Sequence, residues 1–281
     1  MKNIVVAIDF SKGSIHALKY AIDVANRAQA DIHMIWVDNT STSEIVYSHF
    51  TNEDRLEHKK NFQSLTGEYA PSLKGGKLMH YLRKGKVHLE IARLATQKNA
   101  DLIIAGTHGV TGFEEYWIGS NAYRIVTYAP CPVITLRQDF DFYKGIGNIV
   151  FPVDSSIETK QKLPFTADFA KMYNASIHLL GLYATSLKSV QKRIDTHLEH
   201  AANFLKKNDV MYVEERTRPE NITRFIREYA IKVKADLITI MTEQENTTAN
   251  VFLGANAEQL ISHSHIPILS LRPKNIKQEN E

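Results

Sequence analysis

The sequence predicts an α/β protein of two tandem domains, each a five-stranded parallel sheet with helices on both faces. Three observations lead to this prediction. Short apolar runs rich in β-branched residues alternate with longer segments that have the apolar spacing of a helix. The same order of segments occurs twice in the 281 residues. Each copy is about 140 residues long, which is a typical length for one domain.

The repeat is visible as matching segments at fixed offsets. Residues 3–11 read NIVVAIDFS and residues 148–156 read NIVFPVDSS, an offset of 145. Residues 100–103 and 235–238 both read ADLI, an offset of 135. The second copy is therefore ten residues shorter, and the missing residues fall between positions 36 and 100.

These matches also predict the domain boundaries. We expect a first domain at 1–138 and a second at 148–273, joined by a linker at 139–147. The final segment, 274–281, is polar and is expected to fray.

The strands are predicted from short apolar runs. The first run, Ile4–Ile8, is apolar without a break, as in a strand that is covered on both faces. The other strands of the first copy are predicted at Ile32–Val37, Leu78–Leu82, Leu102–Ala105 and Val133–Leu136. Those of the second copy are predicted near 149–153, 177–182, 210–214, 237–241 and 268–271.

The helices lie between these strands. Ser14–Ala28 has apolar residues at helical spacing, and Asn52–Tyr69 is a more polar helix followed by a break at Gly75-Gly76. Two further helices are predicted at Val87–Gln97 and Ser120–Tyr128. Regular alternation of strand and helix favours a parallel sheet with helices on both faces.

Composition excludes several classes of protein. Net charge is +3, shared as +2 and +1 between the two halves, so neither half has the basic surface of a nucleic-acid-binding domain. No apolar run approaches the ~20 residues that span a bilayer. The amino terminus reaches Asp9 too early for a secretory signal, and Cys131 is the only cysteine. We therefore expect a cytoplasmic protein without disulfides and without a membrane partner.

A glycine-rich loop is the strongest sign of a binding site. Gly106-Thr-His-Gly109 follows the fourth strand, and Gly119-Ser120 opens the last helix of the first copy. Glycines permit positive φ and let a ligand approach the backbone, and free N–H groups at a helix start favour phosphate. If the strand order is 3-2-1-4-5, Asp9 and Gly106 flank the crevice between strands one and four.

These residues resemble the universal stress protein family. The Gly-x2-Gly-x9-Gly-Ser pattern of residues 106–120 is that family's ATP-binding signature, and VAIDFS at 6–11 and PCPV at 130–133 are also similar. The resemblance covers both copies. It implies Rossmann-like domains of strand order 3-2-1-4-5, with ATP held by the loop, together with a divalent metal such as Mg²⁺.

The resemblance also implies a set of site residues. Ala7, Ile8 and Asp9 would line the adenosine side, and Val37 would contact adenine through its backbone. The phosphates would be surrounded by Gly106, His108, Gly109, Gly119, Ser120 and Asn121.

Simpler roles remain open for several of these residues. Asp9 could cap the first helix instead of contacting a ligand, and the glycines could only form turns. His108 is expected to be a loop histidine, because no nucleophile accompanies it, so no catalytic residue is predicted. Cys131 is expected to be a buried apolar residue, and His33 and His178 are expected to be packed or paired.

The second copy departs from the pattern. Gly106, Gly109 and Ser120 are replaced by Met241, Gln244 and Ala255, whereas Gly254 and Asp154 are retained. We therefore expect one nucleotide per chain, bound by the first domain. 

Three functions are compatible with the sequence: an ATP-binding regulatory protein, a slow ATPase or self-phosphorylating enzyme, and a ligand-free interaction scaffold.

Family members commonly pair through the fifth strand, so the resemblance implies a pseudo-dimer within the chain, with homodimers also possible.

Overall fold

Each copy of the repeat forms five parallel strands connected by helices, and the chain divides into units Met1–Gln138 and Asp139–Glu281. The computed structural model describes residues 1–39, 52–107, 119–242, 244–246 and 251–273. Residues 139–147, expected to form a linker, contain no helix or strand. The expected tail, 274–281, lies outside the described residues.

The first unit alternates strand and helix as the sequence predicts. Its strands β1 to β5 are Asn3–Ala7, Asp31–Asp38, Leu78–Lys84, Leu102–Gly106 and Val133–Leu136. Its helices α1 to α4 are Lys12–Ala28, Asn52–Tyr69, Val87–Gln97 and Ser120–Tyr128, and a 3-10 turn at Ala70–Ser72 follows α2.

The strands of this unit lie in the order β3-β2-β1-β4-β5, which is the order that the family resemblance implies. All four pairings are parallel. Ile4, Val5 and Val6 of the central strand are each 0% exposed, so both faces of the sheet are covered. Helix α1 packs against β1 and β4, and α3 packs with α4. Right-handed crossovers, the rule for parallel strands, put α1 and α2 on one face of the sheet and α3 and α4 on the other.

Helix α1 begins and ends through recognisable local interactions. Ser11 is its N-cap, and the Ser11 side chain accepts a hydrogen bond from the backbone N–H of Ser14 at 3.2 Å. The helix stops at Gln29, which adopts left-handed φ and ψ of 53° and 44°. Helix α1 thus begins at Lys12, two residues before the predicted start, because Ser11 supplies the cap.

The second unit repeats this plan with local changes. Its main strands are β6 Asn148–Val153, β7 Ser176–Leu182, β8 Tyr212–Thr217, β9 Leu237–Met241 and β12 Ile268–Leu271, in the order β8-β7-β6-β9-β12. Its helices are α5 Leu163–Tyr173, α6 Lys188–Lys207, α7 Ile222–Lys232 and α8 Ala255–His263.

Two features of the second unit differ from expectation. Strand β8 begins at Tyr212, because the backbone N–H of Val210 bonds to the carbonyl of Leu205 and ends helix α6. The predicted strand at 210–214 was therefore placed about two residues too early. In addition, the polar segment after β9 contains an antiparallel pair, β10 Gln244–Asn246 and β11 Val251–Leu253.

Candidate functional site

The predicted site residues of the first unit converge at the carboxyl ends of β2, β1 and β4. Ala7 ends β1 opposite Ile35 of β2, and the next residue, Ile8, donates its N–H to the Ile35 carbonyl at 2.8 Å. Val37 lies two residues further along β2. Gly106 ends β4, the other neighbour of β1. Adjacent parallel strands therefore bring these distant segments of the sequence to one edge of the sheet.

Asp9 organises the connection from β1 to α1. Its Oδ1 accepts a hydrogen bond from the Ser11 N–H at 3.0 Å, and its own N–H donates to Ser14 Oγ at 3.3 Å. The N-cap is Ser11, so the suggestion that Asp9 caps the helix was wrong. The Ser-x2-Ser spacing of residues 11–14 was the sequence signal for this cap. Asp9 is partly exposed and directly follows the end of β1, the strand that pairs with β4.

A single backbone hydrogen bond closes the base of the glycine-rich loop. Gly119 donates its N–H to the Thr107 carbonyl at 2.8 Å, and Thr107 donates its own N–H to Leu136 at 3.0 Å. The residues on either side of segment 108–118 are thereby held next to each other. His108 and Gly109, predicted to contact phosphate, lie outside the described residues. Thr107 is an anchor that sequence reasoning missed.

Two of the loop glycines lie in tight packing contacts and do not have positive φ. Gly119 has φ −58°, and Gly106 continues the strand. A Cβ on Gly106 would lie 3.0 Å from the carbonyl carbon and oxygen of Gly13, and one on Gly119 would lie 3.1 Å from the Thr107 oxygen. The positive-φ explanation was thus wrong for both positions, and Gly13 is a second missed residue. Its only sequence signal was a glycine in the first turn of a predicted helix.

The start of helix α4 is suited to an anion. Its N-cap, Gly119, makes no side-chain capping bond, and the first turn carries no acidic residue. Ser120 and Asn121, the first residues of the helix, are both exposed. Unpaired N–H groups and the positive end of the helix dipole would attract a phosphate at this place.

A metal would find few protein ligands here. Within the described parts of the chain, no group of three or more histidine, cysteine, aspartate or glutamate side chains is placed to hold an ion. Mg²⁺ is commonly held by one or two carboxylates together with substrate phosphates. Asp9 supplies one such carboxylate, so this donor set fits a metal that arrives with a nucleotide.

The two strand histidines, His33 and His178, have structural partners, whereas Cys131 is a free, half-buried cysteine. His33 bonds to Asn3 Oδ1 at 3.0 Å and to the Tyr81 hydroxyl at 3.3 Å, and burial lowers its pKa. His178 repeats this arrangement in the second unit, with Asn148 at 3.2 Å. Burial raises the pKa of Cys131 to about 12, as expected for an unreactive thiol. The expectation that these histidines are paired is correct.

The matching region of the second unit is less suited to phosphate. Met241 places a side chain at the end of β9, where the first unit has Gly106. Helix α8 starts after Gly254, but its first turn contains the carboxylate of Glu258. A negative charge at this position opposes an anion at the helix start. Strand β10 begins at Gln244, the residue that replaces Gly109.

No helix in the described part of the chain combines the length and apolar character that crossing a membrane requires.

Solved structures with the same fold cover nearly the whole chain. A universal stress protein from Archaeoglobus fulgidus superimposes with a TM-score of 0.77 at 16% identity, covering 96% of this chain and 98% of that one. A protein of unknown function from Pseudomonas aeruginosa has a TM-score of 0.70 at 18% identity, with coverage of 97% and 93%. At these identities the similarity shows the fold alone.

Sequence relatives indicate the family. A universal stress protein of Methanocaldococcus jannaschii is 32% identical over 145 residues, which are 49% of this chain and 82% of that protein. One from Bacillus subtilis is 30% identical over 142 residues, 47% of this chain and 96% of that protein. The profile of the universal stress protein family matches twice, over residues 1–137 and 145–272. The chain therefore belongs to the universal stress protein family, as a tandem member with two family domains.

Proposed function

We propose that the first unit binds ATP and that the protein is a nucleotide-dependent regulatory module of the stress response. The observation that supports this most strongly is the convergence of Asp9, Gly106 and the uncapped start of α4 at one end of the sheet. The start of α4 offers N–H donors, and its N-cap, Gly119, places no side chain there. His108 and Gly109 would complete the phosphate site.

In this proposal Mg²⁺ arrives with the nucleotide, and Asp9 supplies the one carboxylate from the protein that would hold it. Val37, Ala7 and Ile8 border the adenosine. Bound metal would neutralise part of the charge of the phosphates. Regulation follows if ATP binds one conformation or one partner-bound state more tightly than another. Regulation is favoured over a slow ATPase because the sequence offers no general base or arginine finger next to the loop.

Titration of ATP into the full chain with Mg²⁺ tests the site. Gly109→Val should abolish binding while the circular dichroism spectrum stays unchanged, because a β-branched side chain obstructs phosphate approach. Gly67→Ala is the matched control, since nothing lies within 4 Å of a Cβ at Gly67. Binding should saturate at one nucleotide per chain. Unchanged affinity in Gly109→Val would remove the loop from the site.

Denaturing the purified protein and analysing the released small molecules separates the alternatives. Near-stoichiometric ATP supports a binding module, whereas rapid conversion of added ATP to ADP supports the slow ATPase. Absence of nucleotide, together with failure to bind added ATP, would favour the ligand-free scaffold.

We also propose a cytoplasmic location, no nucleic-acid partner, and pairing of the two units through their fifth strands, with homodimers possible. Small-angle scattering tests the pairing: a bilobed profile with independently moving halves would contradict it.

A further inference from the structure

The second unit contains a cavity at the same end of its sheet. Its volume is about 530 Å³, within the range of sites for small organic molecules. Apolar side chains form much of its wall, among them Leu182, Ile222, Ile226 and Leu260. The nucleotide crevice of the first unit has its counterpart in this cavity, because Asp154, Leu182 and Met241 correspond to Asp9, Val37 and Gly106.

Three substitutions give this cavity a different chemistry from the first unit. Met241 replaces Gly106, Glu158 replaces Gly13 and Lys162 replaces Ala17, and all three new side chains line the cavity. In the first unit a Cβ on Gly106 would lie 3.0 Å from the backbone of Gly13, which leaves little space for a side chain. In the second unit the chain passes instead through a 3-10 turn, Ile157–Lys160, before α5 begins at Leu163. The second unit therefore has a 3-10 turn in place of the first turns of α1, and a Met241 side chain in place of Gly106 at the strand end.

Charged groups of both signs face this cavity. Lys162 is 2% exposed, and its Nζ donates to the Pro152 carbonyl at 2.7 Å and lies 4.7 Å from the centre of the Phe151 ring. Burial lowers its pKa to about 8, while the nearby Asp154 carboxylate opposes that shift. Burying the charged form of a lysine costs free energy that an apolar residue at the same position would not. A lysine that is kept there despite this cost favours a binding role for the cavity.

Two further charges are available to a ligand. The Glu158 carboxylate is partly exposed and the Arg272 guanidinium is exposed, and both line the cavity. Among the described residues, no hydrogen bond or ion pair joins either of these two charged groups to another side chain. Together with Asp154 and Lys162 they give the wall two negative and two positive groups.

This pattern disfavours a polyphosphate and favours a ligand with both charges. Glu158 and Glu258 would repel phosphate at the two places where the first unit presents bare backbone and an uncapped helix start. Asp154 already accepts hydrogen bonds from Ser156, and Lys162 donates to Pro152, so a ligand of only one charge would leave either Glu158 or Arg272 without a partner. An apolar body would cover the isoleucine and leucine side chains.

We propose that the second unit binds a small zwitterion with an apolar body, of the class of apolar α-amino acids. Its ammonium group lies near Glu158, its carboxylate lies near Arg272, and its side chain packs against Ile222, Ile226 and Leu260. The site is separate from the nucleotide site of the first unit and does not depend on that function.

Three probes with the same benzyl group test the proposal on the full chain at neutral pH. L-Phenylalanine carries both charges, 2-phenylethylamine carries only the ammonium group and 3-phenylpropionate carries only the carboxylate. Calorimetry and ligand-detected NMR should give L-phenylalanine a Kd about tenfold below that of either single-charge probe, as expected for one additional charge-assisted hydrogen bond.

Single substitutions then locate each charge. Glu158→Gln should weaken L-phenylalanine and 2-phenylethylamine about tenfold and leave 3-phenylpropionate unchanged, and Arg272→Gln should do the reverse for the two single-charge probes. Arg137→Gln, at the matching position of the first unit, is the control and should change nothing. Thermal unfolding checks that each variant is folded.

Two kinds of result would overturn the proposal. One is the absence of saturable L-phenylalanine binding up to its solubility limit, or equal binding of a single-charge probe. The other is binding that is insensitive to both Glu158→Gln and Arg272→Gln, which would place the probe elsewhere on the chain.

Discussion

Replacing Gly106 with alanine should destabilise the first unit through one close contact. The new Cβ would lie 3.0 Å from the carbonyl carbon and oxygen of Gly13 and 3.4 Å from the nitrogen of Ser14. All three are backbone atoms, and the Ser14 N–H is held by the Ser11 cap, so no rotamer change can relieve the contact. Overpacking of this kind costs about 1–3 kcal/mol.

A smaller effect acts in the opposite direction. Alanine restricts the unfolded chain, which stabilises a protein by about 0.4–1 kcal/mol where the native backbone suits it. The expected net loss in the free energy of unfolding is therefore about 1–2 kcal/mol.

Tryptophan fluorescence is the assay, because Trp36 and Trp117, the only two tryptophans, both belong to the first unit. Urea unfolding followed at this signal reports that unit selectively. Gly67→Ala in helix α2 is the control, with open space around its Cβ and an expected gain of about 0.5–1 kcal/mol. If Gly106→Ala were as stable as the parent protein, close packing of β4 against α1 would not be the reason for this glycine.

Three further predictions concern ionisable groups. Burial lowers the pKa of four histidines, His33, His80, His88 and His178, so the folded protein favours their neutral forms. Their contribution to the free energy of unfolding should be complete above pH 6.5 and should fall below that pH, which urea unfolding at a series of pH values would measure. Lys162 has a pKa of about 8 instead of 10.5, so its contribution to the free energy of unfolding should rise by about 3 kcal/mol as the pH rises from 8 to 10.5. Lys162→Met should abolish that rise. If the difference in unfolding free energy between the parent protein and Lys162→Met did not change with pH, burial of the lysine charge would be contradicted. Cys131, with a pKa raised to about 12, should react with a disulfide reagent far more slowly in the native than in the urea-unfolded protein.

Much of the architecture follows from local sequence. Helices α2, α3 and α4 begin and end at the predicted residues, because apolar periodicity and the surrounding breaks are encoded within each segment. The repeat and the glycine pattern indicated the family and its strand order. Errors at the ends of elements arose where a polar interaction decided the boundary, as with the Ser11 cap of α1 and the Val210 N–H that ends α6.

The site depends on contacts that no local pattern encodes. Sequence identified Gly106 but not its partner Gly13, because their approach is set by how α1 crosses the end of β4. It predicted that Met241 replaces a phosphate contact, but not that Glu158, Lys162 and Arg272 line one cavity with it. Periodicity determines which face of an element is buried, whereas the packing of elements determines which side chains meet. The strands and helices were therefore readable from the sequence, and the chemistry of the second crevice was decided only by the tertiary structure.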